Sequence, residues 1–179
     1  DYFGANGMSY ESIPVETNSE ADAAYLAGRC DIYTTDASGL YASRAGYPDP
    51  SAHVVLPEIV SKEPLGPSVR GNDSEWADVV RWSLNAMILA EEKGITSGNV
   101  DDMIANSPDP ETQRLLGVKA GYGAWLGLDD DWAANIIRQV GNYSESFEKH
   151  IGVNTPINIA RGLNALYKDG GILYAPPFR

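Results

Sequence analysis

The sequence predicts an α/β chain whose first part carries a βαβ unit and whose remainder is mostly helical. Three observations carry this. A helical run, Glu20 to Ala27, lies between two short apolar segments, Tyr10–Val15 and Cys30–Thr34. Strand, helix and strand at this length normally form a right-handed parallel crossover. Pro64, Gly66 and Pro67 mark an extended connection over 58–70. Beyond Arg70 apolar residues recur every three or four positions over two long stretches, which is the helical period.

The elements run in order along the chain. Asp1 to Asn6 before Gly7 reads as a helix tail with a glycine stop. The chain opens on Asp1, without a starting Met or a signal peptide, so the expectation is that its beginning lies upstream. Tyr10–Val15 is the first predicted strand. Ser19 is the expected N-cap of the helix Glu20–Ala27, and Gly28 its stop. Cys30–Thr34 is the second strand, Ala37–Arg44 a short helix, and His53–Leu56 a third strand after the Pro48-Asp49-Pro50 break. A long helix is expected over Ser74–Lys93, ended by Gly94, with Trp76, Val79, Val80, Met87 and Ala90 on one face. Shorter helices are predicted over Ser97–Ala105 and Glu111–Leu116, and a glycine-rich loop over Gly117–Leu128. Asp129–His150 reads as a second long helix, its three leading aspartates suited to the positive end of the helix dipole. Thr155-Pro156 supplies the start of a last helix, closed by Gly170, before an extended tail.

Composition excludes several functions. Hydrophobic residues are 43% and charged residues 21%, an ordinary globular balance. Thirteen basic against 25 acidic side chains give a net charge of −12, which repels phosphate backbones and anionic membranes. No apolar run approaches the ~20 residues that span a bilayer. Neither His53 nor His150 has a ligand partner at metal spacing, so neither a metal nor a cofactor is expected. Gly121-Tyr122-Gly123 lacks the Lys-Ser/Thr of a phosphate loop. Cys30, the single cysteine, is either a small buried hydrophobe on a strand or half of a disulfide whose partner lies outside the chain.

The candidate site is Thr34-Thr35-Asp36. Open α/β sheets bind ligands just past the C-terminal ends of their strands, where this triplet is expected. A carboxylate there can hold an ammonium group by charge-assisted hydrogen bonds, and the two hydroxyls can orient it. The same Asp36 is placed to cap the helix starting at Ala37. The two roles are compatible.

The stretch Ala27-Gly28-Arg29-Cys30-Asp31-Ile32-Tyr33-Thr34-Thr35-Asp36 resembles the second lobe of polar amino-acid-binding proteins. These are the type II extracytoplasmic (periplasmic) solute-binding family of ABC importers, and the chain is most similar to the general L-amino-acid-binding branch. The likeness continues in Pro57–Pro67, in Asn154-Thr155-Pro156, in Arg161–Leu166 and in the terminal Gly170–Arg179. It implies an incomplete fold of that type, the C-terminal portion of such a protein. Residues 1–64 would be the C-terminal part of lobe two, 65–70 the hinge crossing, and 71–179 the returning lobe-one segment with a helical extension. It also implies a periplasmic receptor, not an enzyme, that serves ABC importer membrane subunits and closes on an L-amino acid. Asp36 would take the α-ammonium, and an arginine in the first lobe, encoded upstream, would take the α-carboxylate. An enzyme of the same fold and a protein-interaction module are the competing readings.

A lobe normally buries both faces of a parallel sheet. Helices carrying Trp76, Trp82, Trp132 and Phe147 without the strands they cover would leave these residues wet, at roughly 1.5–3 kcal/mol each. The expectation is a homo-oligomer, built by exchange of segments between copies. The alternative is that the helices form a bundle of their own.

Overall fold

The computed structural model describes residues 1–61, 65–119 and 122–178. The chain divides into two units, Asp1–Gly66 and Pro67–Arg179. The predicted end of the first part at 64, part of the returning hinge segment and Gly121 lie outside the described residues.

The first unit holds α1 (Tyr2–Ala5), α2 (Asn18–Leu26), α3 (Ala37–Gly46) and a 3-10 turn at Pro50–Ala52. Helix α2 starts earlier than Ser19 implies. Thr17 is its cap: the Glu20 N–H donates to Thr17 Oγ1, and the Thr17 N–H donates to Glu20 Oε2. This reciprocal pair needs a glutamate three residues after the cap, which Thr17 has and Ser19 lacks. Helices α2 and α3 are tied by polar groups. Tyr47 Oη donates to Asp22 Oδ1 at 2.8 Å, and Ser43 Oγ to Asp22 Oδ2 at 3.5 Å. Tyr25 Oη lies 2.9 Å from His53 Nδ1. The rings of Tyr25, Tyr33, Tyr47 and His53 pack together between the helices. Among the described residues of this unit only Ala24 is fully buried.

The three predicted strands do not form ladders, and the described residues contain no named strand. The segments Tyr10–Val15, Cys30–Thr34 and His53–Leu56 run free of helix, and among the described residues no backbone–backbone hydrogen bond involves 10–15, 30–34 or 54–56. The physical reason is that a strand exists only by pairing. Consecutive strands of a doubly wound sheet need not be neighbours, and no described segment of the unit supplies a strand between these.

The second unit is a helical bundle: α4 (Ser74–Glu92), α5 (Val100–Asn106), α6 (Pro110–Leu115), α7 (Trp132–Val140) and α8 (Tyr143–His150). Helix α4 is central. Ala86, Ile88, Leu89 and Ala90 are buried around its whole circumference, as for a helix enclosed on all sides. It packs on α7 and α8, and α5 packs on α7. The predicted stripe through Trp76 is therefore displaced: burial concentrates in the C-terminal half of α4, and Trp76 stays 54% exposed. Gly94, at φ +68°, ends α4 in the left-handed conformation that glycine adopts at no steric cost. The turn drops Ile95 into the core, its N–H donating to Ala90 O at 2.8 Å.

Two helix predictions fail for identifiable reasons. The stretch Asp129–His150 is not one helix. Gly141, at φ +85°, breaks it, and Asn142 caps a new helix by accepting the Glu145 N–H at 2.9 Å. The last helix from Thr155 to Gly170 does not form. Asn158 and Gly162 both take positive φ, which an α-helix cannot hold. Only two 3-10 turns remain, Gly162–Asn164 and Tyr167–Asp169. The tail nevertheless enters the core. Leu166, Ala175 and Phe178 are buried, and the Phe178 ring meets Trp82 at 5.2 Å and Trp132 at 6.2 Å. Trp132 and Phe147, expected to be wet, are only 8% and 7% exposed, and Trp82 is half-buried against the same core. Three of the four aromatics expected to be wet, Trp82, Trp132 and Phe147, thus pack within one copy, while Trp76 stays exposed.

Candidate functional site

Asp36 sits at the start of α3 in extended backbone, φ −60° and ψ 147°. Its Oδ2 accepts two bonds, from the Gly39 N–H at 2.8 Å and from Ser38 Oγ at 2.6 Å. Its Oδ1 has one long contact, Thr35 Oγ1 at 3.4 Å. The capping role read from the sequence is thus present, carried by one carboxylate oxygen, while the other meets the Thr35 hydroxyl. Asp36 is half-buried, and Thr34 and Thr35 are exposed beside it. Of the three predicted site residues, the structure brings Thr35 and Asp36 into hydrogen-bond contact and leaves Thr34 as an exposed neighbour in the chain.

The Ser38 hydroxyl first, and then the Gly39 N–H, hold the Asp36 carboxyl below its usual pKa range. The group is therefore an anion at neutral pH, as binding of an ammonium requires. Gly39 also makes room for it: a Cβ there would come 3.2–3.3 Å from both carboxylate oxygens. Sequence reasoning misses Ser38 and Gly39 as site residues. The signal is present, since Asp-x-Ser-Gly at a helix start places a hydroxyl and a bare N–H over the cap.

Behind the site, Tyr33 precedes the two threonines and packs on Tyr25 with ring centroids 6.4 Å apart. Burial, and then the Asp22 carboxylate, push its phenol pKa up, so it stays neutral. The packing of Tyr33 on Tyr25 ties the segment entering Asp36 to α2. Cys30, the single cysteine, is half-buried. Among the described residues no group of three or more His, Cys, Asp or Glu side chains could hold a metal, and no helix is long and apolar enough to cross a membrane.

No protein-family model matches the chain. Individual proteins do. The general L-amino acid-binding periplasmic protein AapJ of Rhizobium johnstonii is 55% identical over all of this chain, which covers 53% of AapJ. The glutamate/glutamine/aspartate/asparagine-binding protein BztA of Rhodobacter capsulatus is 50% identical, again over the whole chain and 53% of its own length. The putative amino-acid ABC transporter-binding protein YhdW of Escherichia coli is 51% identical, with 52% of its length covered. Among solved structures, an ABC transporter periplasmic binding protein from Brucella ovis with glutathione bound superposes on 99% of the chain with a TM-score of 0.92 and 53% identity. The match takes in 56% of that Brucella chain. The chain thus spans about half the length of the curated relatives it matches, and it is a homologue of the amino-acid-binding periplasmic proteins of ABC transporters.

Proposed function

We propose that the chain is part of the extracytoplasmic substrate-binding component of an amino-acid ABC importer, and that Asp36, aided by Thr35 and Thr34, holds the α-ammonium group of an L-amino acid. In this reading residues 1–64 belong to lobe two, 65–70 cross the hinge, and 71–179 return to lobe one with a helical extension. The chain works in the periplasm as a binder rather than an enzyme and delivers its ligand to importer membrane subunits.

The observation that carries the reading is Asp36 Oδ1. It belongs to a carboxylate kept ionised by the bonds to its other oxygen, and its own nearest partner is the hydroxyl 3.4 Å away. An ammonium donor matches an open anionic acceptor of this kind. The relatives support it chemically. One is named for general L-amino acids and another for glutamate, glutamine, aspartate and asparagine. These ligands share only the α-amino-acid end, and glutathione, bound to the Brucella protein, carries the same end.

The test uses the chain extended to the relatives' length. Titration calorimetry with L-glutamate, L-glutamine and glutathione should show binding, and N-acetyl-L-glutamate should not bind. Asp36→Asn keeps a good helix cap but replaces the charged acceptor, and should weaken binding by about tenfold to a hundredfold. Equal binding by Asp36→Asn, or by the N-acetylated ligand, would sink the ammonium assignment.

A further inference from the structure

We infer that Gly39 is a positioning residue of the ammonium site: by carrying no side chain it lets the Asp36 carboxylate and the Thr35 side chain keep the places from which they meet the ligand. The role presupposes that Asp36 takes the α-ammonium, as proposed above. Neither the backbone nor the cap calls for glycine here. Gly39 lies in the first turn of α3, outside the left-handed region that favours glycine. Glycine is among the poorest helix formers and alanine the best. At four other helix starts the third residue after the cap donates the same bond while carrying a side chain: Glu20 to Thr17, Trp76 to Asp73, Thr112 to Asp109 and Glu145 to Asn142.

What sets Gly39 apart from these is the space beside it. A Cβ at 39 would come 3.2 Å from Asp36 Oδ2, 3.3 Å from Asp36 Oδ1 and 3.3 Å from Thr35 Cγ2. These distances are inside the about 3.5 Å at which nonbonded carbon atoms begin to pack well, so an added methyl moves the carboxylate, the threonine or both. The Ser38 hydroxyl does not distinguish the site in the same way. Ser51 Oγ donates to the cap carboxylate of Asp49 at the same 2.6 Å, and there the third residue after the cap is Ala52. Glycine at 39 thus gives up helix stability and leaves a pair of ligand groups undisturbed. A local departure from helix preference of this kind marks a functional position. Moving Asp36 also loosens the bonds from Ser38 Oγ and the Gly39 N–H that keep it ionised.

The test uses the chain extended to the relatives' length and titrates it with L-glutamate by calorimetry. Gly39→Ala should weaken binding by about tenfold or more, with a melting temperature equal to the parent's or higher. Gly46→Ala is the control. It sits at the end of the same helix, where a Cβ would meet nothing within 4 Å, and it should leave the affinity unchanged. In the ligand-free protein, carbon-13 NMR of the Asp36 carboxyl should show it titrating at higher pH in Gly39→Ala than in the parent. A role in helix packing alone would not move that titration. The inference is overturned if Gly39→Ala binds as the parent does, if it melts lower, if Gly46→Ala loses as much affinity, or if the Asp36 titration stays where it was. Asp36→Asn separates the two readings. Normal binding by that variant refutes the ammonium assignment and this role with it. Weakened binding by Asp36→Asn together with parent-like binding by Gly39→Ala refutes the positioning role alone.

Discussion

Arg161 fastens the C-terminal segment to the bundle, and removing it should cost the second unit a large part of its stability. Its Nη2 lies 3.0 and 3.1 Å from the two carboxylate oxygens of Glu91 on α4. Its Nε and Nη2 also donate to Asn164 O, at 3.1 and 2.8 Å. The guanidinium stands over two rings of α8, 5.4 Å from Tyr143 and 5.2 Å from Phe147. The side chains of Arg161 and Glu91 are only 17% and 14% exposed. Arg161→Ala therefore leaves the Glu91 carboxylate largely buried and unpaired. Breaking a buried pair from one side costs roughly 3–5 kcal/mol, and the residual exposure of both groups places this case at the lower end, about 3 kcal/mol. For a unit of this size that lowers the melting temperature by about 10 °C. Tryptophan fluorescence during thermal and urea unfolding reports it, because Trp82 and Trp132 sit against Phe178 in the core. A double-mutant cycle with Glu91→Ala isolates the pair, with an expected coupling of at least about 1 kcal/mol. If the two single losses simply add in the double variant, the pair contributes nothing and the reasoning fails.

Asp109 caps α6 and pairs with Lys93, and its pKa is lowered from 3.8 to about 2, chiefly by the Thr112 hydroxyl and then by Lys93. A depressed carboxyl stabilises the fold above its unfolded pKa and loses that contribution as pH falls through its folded value. Melting temperatures should therefore drop between pH 3.8 and about 2, and Asp109→Asn should flatten that slope; parallel profiles would refute it. Gly117 takes φ +75°, and a Cβ there would overlap the Asp130 backbone. Gly117→Ala should cost about 2 kcal/mol in urea unfolding, and an unchanged midpoint would contradict the close packing of that loop. Tyr47→Phe removes the 2.8 Å bond to Asp22 and should loosen α3 from α2 by about 1 kcal/mol. Faster amide exchange in α3 would show it, and unchanged exchange would mean that ring packing alone holds the two helices.

Helix starts are legible in the sequence wherever the signal is local. Asp36, Asp73 and Asp109 each accept a backbone N–H from the first turn of the helix they precede, a pattern that a few consecutive residues specify. The break between α7 and α8 also has its local signal, since Asn142 and Glu145 form a capping box. The apolar period runs straight through Gly141 and masks it. Thr155-Pro156 shows the opposite error. A sound local start signal leads nowhere, because burial of Leu166 and Phe178 dictates the path of the tail, and that depends on contacts far away in sequence. The three strand-like segments are recognisable by composition, but a ladder is a relation between segments and no single one specifies its neighbour. At the site, spacing shows Asp36 as a cap. Only geometry shows that the cap bonds occupy one oxygen, the other having a single long contact to the Thr35 hydroxyl.

The joint at Asn142 limits how this bundle can change. Its side chain is buried, accepting the Glu145 N–H while donating to Ile95 O at 2.8 Å, and Glu145 in turn accepts from the Ser97 N–H and hydroxyl. One elbow between α7 and α8 is thus latched to the turn after α4. Each residue added to a helix rotates the chain beyond it by about 100°. A single insertion in α7 would swing Asn142 away from Ile95 and release both latches at once. The length of α7 is therefore fixed to the residue.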